Sequence, residues 1–551
     1  MQALTIAIGP VGVAYFGQSL LAADLTGTLA GLKPPDRGLD APGFDTHGFG
    51  WKDEYSRIHI DLSNGRFANF KPVYGSLVQQ AGGRFQVALS ASGFDVNYSW
   101  NETWHTKHWS YGKFPPPPYD KDHAAGPFGY PPHFASLAVQ LVLAFAYDQA
   151  TKAYDVTVGS VSATPSGVTP NVPAASVIQN EDQSCFSSHV SDATAGAVAS
   201  IDFKTPIANL FGTLFKSIPA SGHLTPDIVY DFEVGDSPLT FPGDHGLAVG
   251  VTGTVKYKDE SYPGTPPPPL PVPPVPTDAN HLRLYVSNYE LDALNWAFFK
   301  AGAFSYVVQP HDLVDADLLK VKTYDSAIPA LKPYHPFDIW AYVTPKQPST
   351  TTFQPVWEFT GAAMQALQQQ LPACEYQKIT GLDGNNYVAQ ADLDDDLTSA
   401  GLGTQYVAVV ERVTRTMGMV VKHNMEFKLV IQNNTPPLPE LVFDLVRTDV
   451  LQNLSLGASG NVQTLKYDFN RVVAKATFVS TTIPKFDKQS FGDTIWPVVG
   501  EPRYDQILTD IGHTKGVPLP IMQGFHFLFD QAQLSIQDGY VSILAQVHFT
   551  Q

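Results

Sequence analysis

The amino-acid sequence predicts an α+β fold dominated by strands and built as two similar halves. Three observations carry that expectation. Alternating or β-branched apolar runs fill much of the 551-residue chain, with few helical periodicities among them. YPGTPPPPLPVPPVP, residues 262–276, breaks the chain near its middle with nine prolines. The opening phrase IAIGPVGVAYFGQSLL, residues 6–21, returns as LYVSNYELDALNWAFF, residues 284–299, just after that break.

The repeated phrase reads as a strand followed by a helix. Leu4, Ile6 and Ile8 alternate, which puts them on one face of a strand. Val13, Phe16, Leu20 and Leu21 then form a stripe at i, i+3, i+7 and i+8 along a helix predicted over residues 11–30. Laid beneath without a gap, Ile6 falls on Leu284, Ile8 on Val286, Val13 on Leu291, Phe16 on Leu294, Leu20 on Phe298 and Leu21 on Phe299. These twelve residues are the candidate binding positions. Two readings fit them: an ordinary packed core of helix on sheet, or the walls of a lipid-sized apolar cavity.

Between the two copies the chain reads as strands: FQVALSASGFDVNYSW (85–100), LAVQLVLAFAYD (137–148), YDVTVGSVSA (154–163) and LAVGVTGTVKY (247–257). Beyond them come VVKHNMEFKLVIQ (420–432) and a closing pair, FHFLFDQAQLSI (525–536) and YVSILAQVHF (540–549). Further helices are expected at about 196–218, 289–302, 360–371 and 503–513. The proline run favours extended backbone and excludes helix or central strand, so it reads as a semi-rigid connector. The expected division is 1–261, linker 262–277 and 278–551. A second proline cluster, KFPPPPYDKDHAAGPFGYPPHF (113–134), reads as a long ordered loop at a domain tip. Trp100, Trp104, Trp109, Tyr111, Phe114, Tyr119, Phe128 and Tyr130 crowd that region; they suit either self-packing or transient contact with a membrane interface.

Composition narrows the function classes. Hydrophobic residues make up 44% and charged residues 16%, enough for large cores and too little charge for a disordered chain. The net charge of −18 divides evenly: 15 Lys and Arg against 24 Asp and Glu in residues 1–277, and 19 against 28 in 278–551. Neither half offers the basic field that nucleic acid requires, so no nucleic-acid partner is expected. No run approaches 18 apolar residues, and MQALTIAI lacks the basic start of an export signal. The chain as written reads as cytosolic, or as secreted if a signal has been trimmed. Cys185 and Cys374 lie in different halves and outside any paired motif, so two free, buried thiols are expected.

Candidate chemistry is thin. His105, His108, His123 and His133 could supply a metal, but HTKHW lacks the register of HExxH, and solvated or aromatic-packed histidines fit better. DLDDD (392–396) lacks the spacing of a calcium loop and reads as a solvated acidic loop. No GxSxG, GxxxxGK or dinucleotide fingerprint follows a strand, so the sequence gives no support for an enzyme.

Four segments together resemble one family. They are ALTIAIGPVGVAYFGQSLL, HLRLYVSNYELDALNWAFFKAGAF, YDFEVGDSPLTFPGDHGLAVGVTGTVKYKDESYPGTPPPP and GVPLPIMQGFHFLFDQAQLSIQDGYVSILAQVHF. In order and spacing they resemble the bactericidal/permeability-increasing and lipopolysaccharide-binding proteins, whose modules are called TULIP domains. The resemblance spans the whole chain. It implies a boomerang of two pseudo-symmetric halves, each a wrapped antiparallel sheet with a long helix, joined by a central sheet. It also implies bound lipid, a phospholipid or fatty acid, as ligand and no other cofactor. The family's first-half disulfide has no counterpart here, since that half holds only Cys185. Endotoxin-binding relatives present a basic tip, whereas this tip mixes Lys107, Lys113 and Lys121 with Glu102, Asp120 and Asp122. Residues 345–420 fit the pattern poorly.

Overall fold

Alternating apolar runs form long antiparallel strands, and among the described residues of the computed structural model these make three eight-stranded sheets. The structure describes residues 4–15, 31–41, 43–80, 84–110, 120–130, 132–148, 153–169, 183–209, 220–234, 247–265, 270–276, 279–459, 462–519 and 526–550. The first-half sheet runs Arg37–Ala41, Trp51–Ala68, Arg84–Ser110, His133–Asp148, Ala153–Thr169, with shorter strands attached along it. The second-half sheet runs Tyr306–Val308, Ile339–Pro345, Arg415–Ile431, Glu440–Ser459, Val462–Thr481, Val517–Pro518. Strands of up to 27 residues curl because bulges interrupt their register. In Trp51–Ala68 the shifts fall between Ser56 and His59 and between Ser63 and Arg66. Arg57 and Asn64 sit at those breaks with φ of 49° and 54°.

The third sheet is drawn from both ends and the middle of the chain. Its order is Ala220–His223, Ile228–Val234, Leu247–Tyr257, Leu4–Ile8, Leu282–Ser287, Tyr540–Thr550, His526–Gln537. The strands of the repeated phrase lie side by side and antiparallel, with Ile6 opposite Leu284. Those two residues also coincide in the sequence alignment, so the pairing is locally two-fold about them. The described linker residues, 262–265 and 270–276, form neither helix nor strand, as proline density requires.

Several expectations change. Residues 120–130, read as loop, form a strand against Arg84–Ser110; the prolines at 115–118 lie outside the described residues. Of the helix expected at 196–218, residues 196–199 end the helix Gln183–Ala199, residues 204–209 are helical after a break, and residues 210–218 lie outside the described residues. DLDDD is not a loop but part of the helix Gln390–Ser399. Leu393 and Leu397, four residues apart, are fully buried there, and that apolar pair overrides the acidic run. This helix belongs to a group with Gly361–Gln370, expected at 360–371, and with Ala373–Ile379 and Thr404–Thr414, which like it were missed in the sequence. They enclose their own core, built on Trp357, Phe359, Leu367, Ile379, Leu393 and Val410, apart from the main one. That explains why residues 345–420 fit the sequence pattern poorly.

Cys374 is free and exposed rather than buried. The side chain of Cys185 lies outside the described residues. Thiol titration of denatured, unreduced protein is expected to find two reactive groups, and finding none would contradict this account.

Candidate functional site

The helix Asn288–Lys300 is the best-defined element of the repeated phrase. It begins at Ser287, which leaves the central sheet in extended backbone (φ −78°, ψ 162°). It ends in a Schellman motif: Gly302 N–H donates to Phe299 O (2.9 Å) and Ala303 N–H to Phe298 O (3.0 Å). Gly302 takes φ of 74°, which suits glycine and accounts for the Ala-Gly that closes the phrase.

Both flanks of this helix are covered. On one side Asn288 donates to Thr351 O (3.2 Å), and Asp292 accepts from Thr351 N–H (2.6 Å). On the other, the Tyr262 ring packs 5.2 Å from Tyr289 and 6.1 Å from Trp296, and Lys300 pairs with Glu260 at 2.7 Å. The remaining face points inward and carries Leu291, Leu294 and Phe298, all buried in the main core. Phe299 is half-buried at its margin.

The central sheet presents a matching apolar face. Residues directly opposite in antiparallel strands share a face. The register therefore aligns Leu4, Ile6 and Ile8 with Val251, Val249 and Leu247 on one side, and with Val286, Leu284 and Leu282 on the other. Val541, Ile543 and Ala545 continue it. Of the candidate residues, Val13, Leu284 and Val286 are buried and Ile6 and Ile8 half-buried against the same core. Phe16, Leu20 and Leu21 lie outside the described residues. The first helix starts at Pro10, a favoured first position, and Gly9 N–H donates to His281 O at 2.9 Å. A Cβ on Gly12 would stand 2.2 Å from that same carbonyl, so glycine lets the first phrase lie against the start of the second.

Glu290 was missed in the sequence. It sits on the inward face, one and two turns before Leu294 and Phe298, and is fully buried. Neither carboxyl oxygen has a hydrogen-bond partner. Burial pushes its pKa up to about 8. Burial likewise raises Asp292 to about 7, against the opposing pull of its Thr351 hydrogen bonds. The signal was available, since an acid at i−4 and i−8 of an apolar stripe breaks the pattern.

A second polar group was also missed, between the second-half sheet and the helix Glu501–Thr509. Arg447 and Asp449 stand on the inward parity of a strand that otherwise reads Leu441, Phe443, Leu445 and Leu451. Arg447 donates to Asp449 through contacts of 2.7, 2.8 and 3.1 Å and reaches Asp505 at 2.6 Å. His423 Nδ1 lies 2.6 Å from Ser349 Oγ and 2.9 Å from Tyr504 OH, with Asp449 3.3 Å from its Nε2. Ser349, His423 and Asp449 line up, but the serine is buried, Tyr504 shares its histidine nitrogen, and Arg447 holds the aspartate. The arrangement ties helix to sheet.

The aromatic tip is only partly as expected. Trp100 is in the core, 1% exposed, with its indole N–H on Glu102, so it is unavailable to a surface. Trp104 is half-buried. Tyr111, Phe114 and Tyr119, with the side chains of Phe128 and Tyr130, lie outside the described residues. The hairpin of Phe44–Gly48 and Trp51–Ala68 brings a fully exposed Phe49 and the part-exposed Trp51 beside the strand end that carries Trp109. His108 and His133 each contact an aspartate, Asp53 and Asp95, and no metal-holding cluster occurs among the described residues.

No protein-family model matches the chain, and no curated protein sequence matches it. Solved structures do. The crystal structure of lipopolysaccharide binding protein aligns over 100% of this chain and 99% of its own, at 13% identity and a TM-score of 0.50. P47 from Clostridium botulinum A2 aligns over 99% and 97% at 8% identity, with a TM-score of 0.22. Epiphyas postvittana Takeout 1 covers 37% of this chain and 84% of its own at 10% identity, with a TM-score of 0.15. The chain shares the α+β fold of lipopolysaccharide binding protein along its full length.

Proposed function

We propose that this chain is a non-enzymatic lipid-binding or lipid-transfer protein that holds acyl chains of a phospholipid or fatty acid against its apolar helix and sheet faces. The observation that carries the reading is the inward stripe Leu291, Leu294 and Phe298 above a continuous apolar sheet face, in a fold shared with a protein named for binding lipopolysaccharide. The halves 1–261 and 278–551, joined by the 262–277 linker, are pseudo-symmetric arms of a boomerang, each with its own pocket. Burying one methylene gains about 0.8 kcal/mol, so a 16-carbon chain gains roughly 12 kcal/mol before entropy costs. An acidic protein therefore needs no charged anchor. Contact with a membrane is transient and made by the tip that carries Phe49, Trp51 and Trp109.

A second reading has its own support. Leu291 and Leu294 are wholly buried within one contiguous core, as in a closed scaffold that assembles with other proteins. Phe298→Trp, and Leu20→Trp in the first half, separate the two. Under the lipid reading, lipid extracts and native mass spectra of the purified protein show stoichiometric lipid, and each variant loses it from its half with nearly unchanged melting. Under the scaffold reading the parent carries no lipid, and each variant melts lower because an indole overpacks a filled core by about 1–3 kcal/mol.

A further inference from the structure

We propose that Glu290 is the polar anchor of the second-half pocket: its carboxylic acid donates a hydrogen bond to the carbonyl oxygen of a bound acyl group. This rests on the lipid reading above and adds to it the chemistry of the ligand's recognised end.

Three observations carry the inference. Glu290 has no exposed surface and neither oxygen has a partner, although buried polar groups are nearly always bonded. It shares the inward row of the helix with Leu294 and Phe298, while both flanks of that helix are occupied by Thr351 and Tyr262. The expected local partnership is absent as well. Ser287 and Glu290 have the S-x-x-E spacing of a capping box, yet Ser287 makes no side-chain cap bond and its hydroxyl, also buried, is unpartnered. An acid in that setting is kept neutral by its surroundings and so presents an O–H donor. An acyl carbonyl accepts one hydrogen bond and carries an apolar chain, which matches one donor above an apolar row. A free fatty acid and a glycerolipid ester both offer that oxygen.

The test compares three 16-carbon probes delivered from cyclodextrin: palmitic acid, methyl palmitate and hexadecane. Dissociation constants are measured for the delipidated wild-type chain, Glu290→Leu and Glu290→Gln. Wild type is expected to bind acid and ester about tenfold more tightly than hydrocarbon, the worth of one hydrogen bond. Glu290→Leu is expected to bind all three alike, with hexadecane no weaker than in wild type. Glu290→Gln, whose amide still donates, is expected to keep the preference for ester. Affinity for the acid alone points to a free fatty acid; affinity for acid and ester together points to the carbonyl shared by both sources. If the three probes bind wild type alike, or Glu290→Leu keeps the preference, the anchor is wrong while the lipid reading stands. If none binds wild type, both fall.

Discussion

Arg447→Met is expected to cost about 3–5 kcal/mol of stability in the second half, because it removes one partner of a buried ion network and leaves the others behind. Arg447 is 1% exposed and Asp449 is fully buried, so the orphaned carboxylate has no water to turn to. Burial alone would raise the Asp449 pKa, but the nearby His423 and the hydrogen bonds from Arg447 outweigh it and hold the group below its ordinary value. Arg447 is likewise held charged: burial opposes its charge, and Asp449 more than offsets that opposition. Glu501 keeps Arg471 as a partner, and Asp505 is half exposed, so the damage concentrates on Asp449. Replacing both members, Arg447→Met with Asp449→Leu, is expected to cost less than the single change. Urea midpoints of the two single variants and the double decide it. A single change costing under about 1 kcal/mol, or a double equal to the sum of its singles, would refute the network's role.

Wild-type protein is expected to lose stability relative to Glu290→Gln as pH rises from about 4.5 to 8. The folded Glu290 carboxyl titrates near 8 against an ordinary 4.5, so it holds its proton when the unfolded chain has already released it. Its penalty is absent below pH 4.5, grows through the interval and levels off above 8. At 1.36 kcal/mol per pH unit the loss reaches about 5 kcal/mol at most. Asp292, raised to about 7, adds a drop of the same sign that Asp292→Asn removes. Melting temperatures of the wild type and both variants at pH 5, 6.5 and 8 check this. Parallel curves would mean that Glu290 ionises freely.

Much of the fold was legible because strand and helix periodicities are written locally. Leu4, Ile6 and Ile8 face one way, the 289–302 helix is Asn288–Lys300, and the strand read at 247–257 is Leu247–Tyr257. What failed depended on partners distant in sequence. Residues 120–130 look like a polar loop until Arg84–Ser110 supplies a ladder. The acidic helix Gln390–Ser399 exists because Leu393 and Leu397 find the Trp357 core. The candidate site divides in the same way. The stripe was readable by spacing, whereas Glu290 and Arg447 disappeared into patterns that tolerate one exception. Reading such exceptions as positions, rather than averaging over them, would have found both.

The central sheet has a consequence for how the chain is made. Leu4–Ile8 sits between Leu247–Tyr257 and Leu282–Ser287, so both its neighbours are translated about 240 residues or more after it. At 5–20 residues per second, the N-terminal strand waits roughly 12–50 s on the ribosome with both edges unpaired. Tyr540–Thr550, which closes the other side of Leu282–Ser287, is translated about 250 residues after it. The seam between the halves thus closes long after its first strand is made, and the edges of Leu4–Ile8 are the ones a chaperone has most reason to cover.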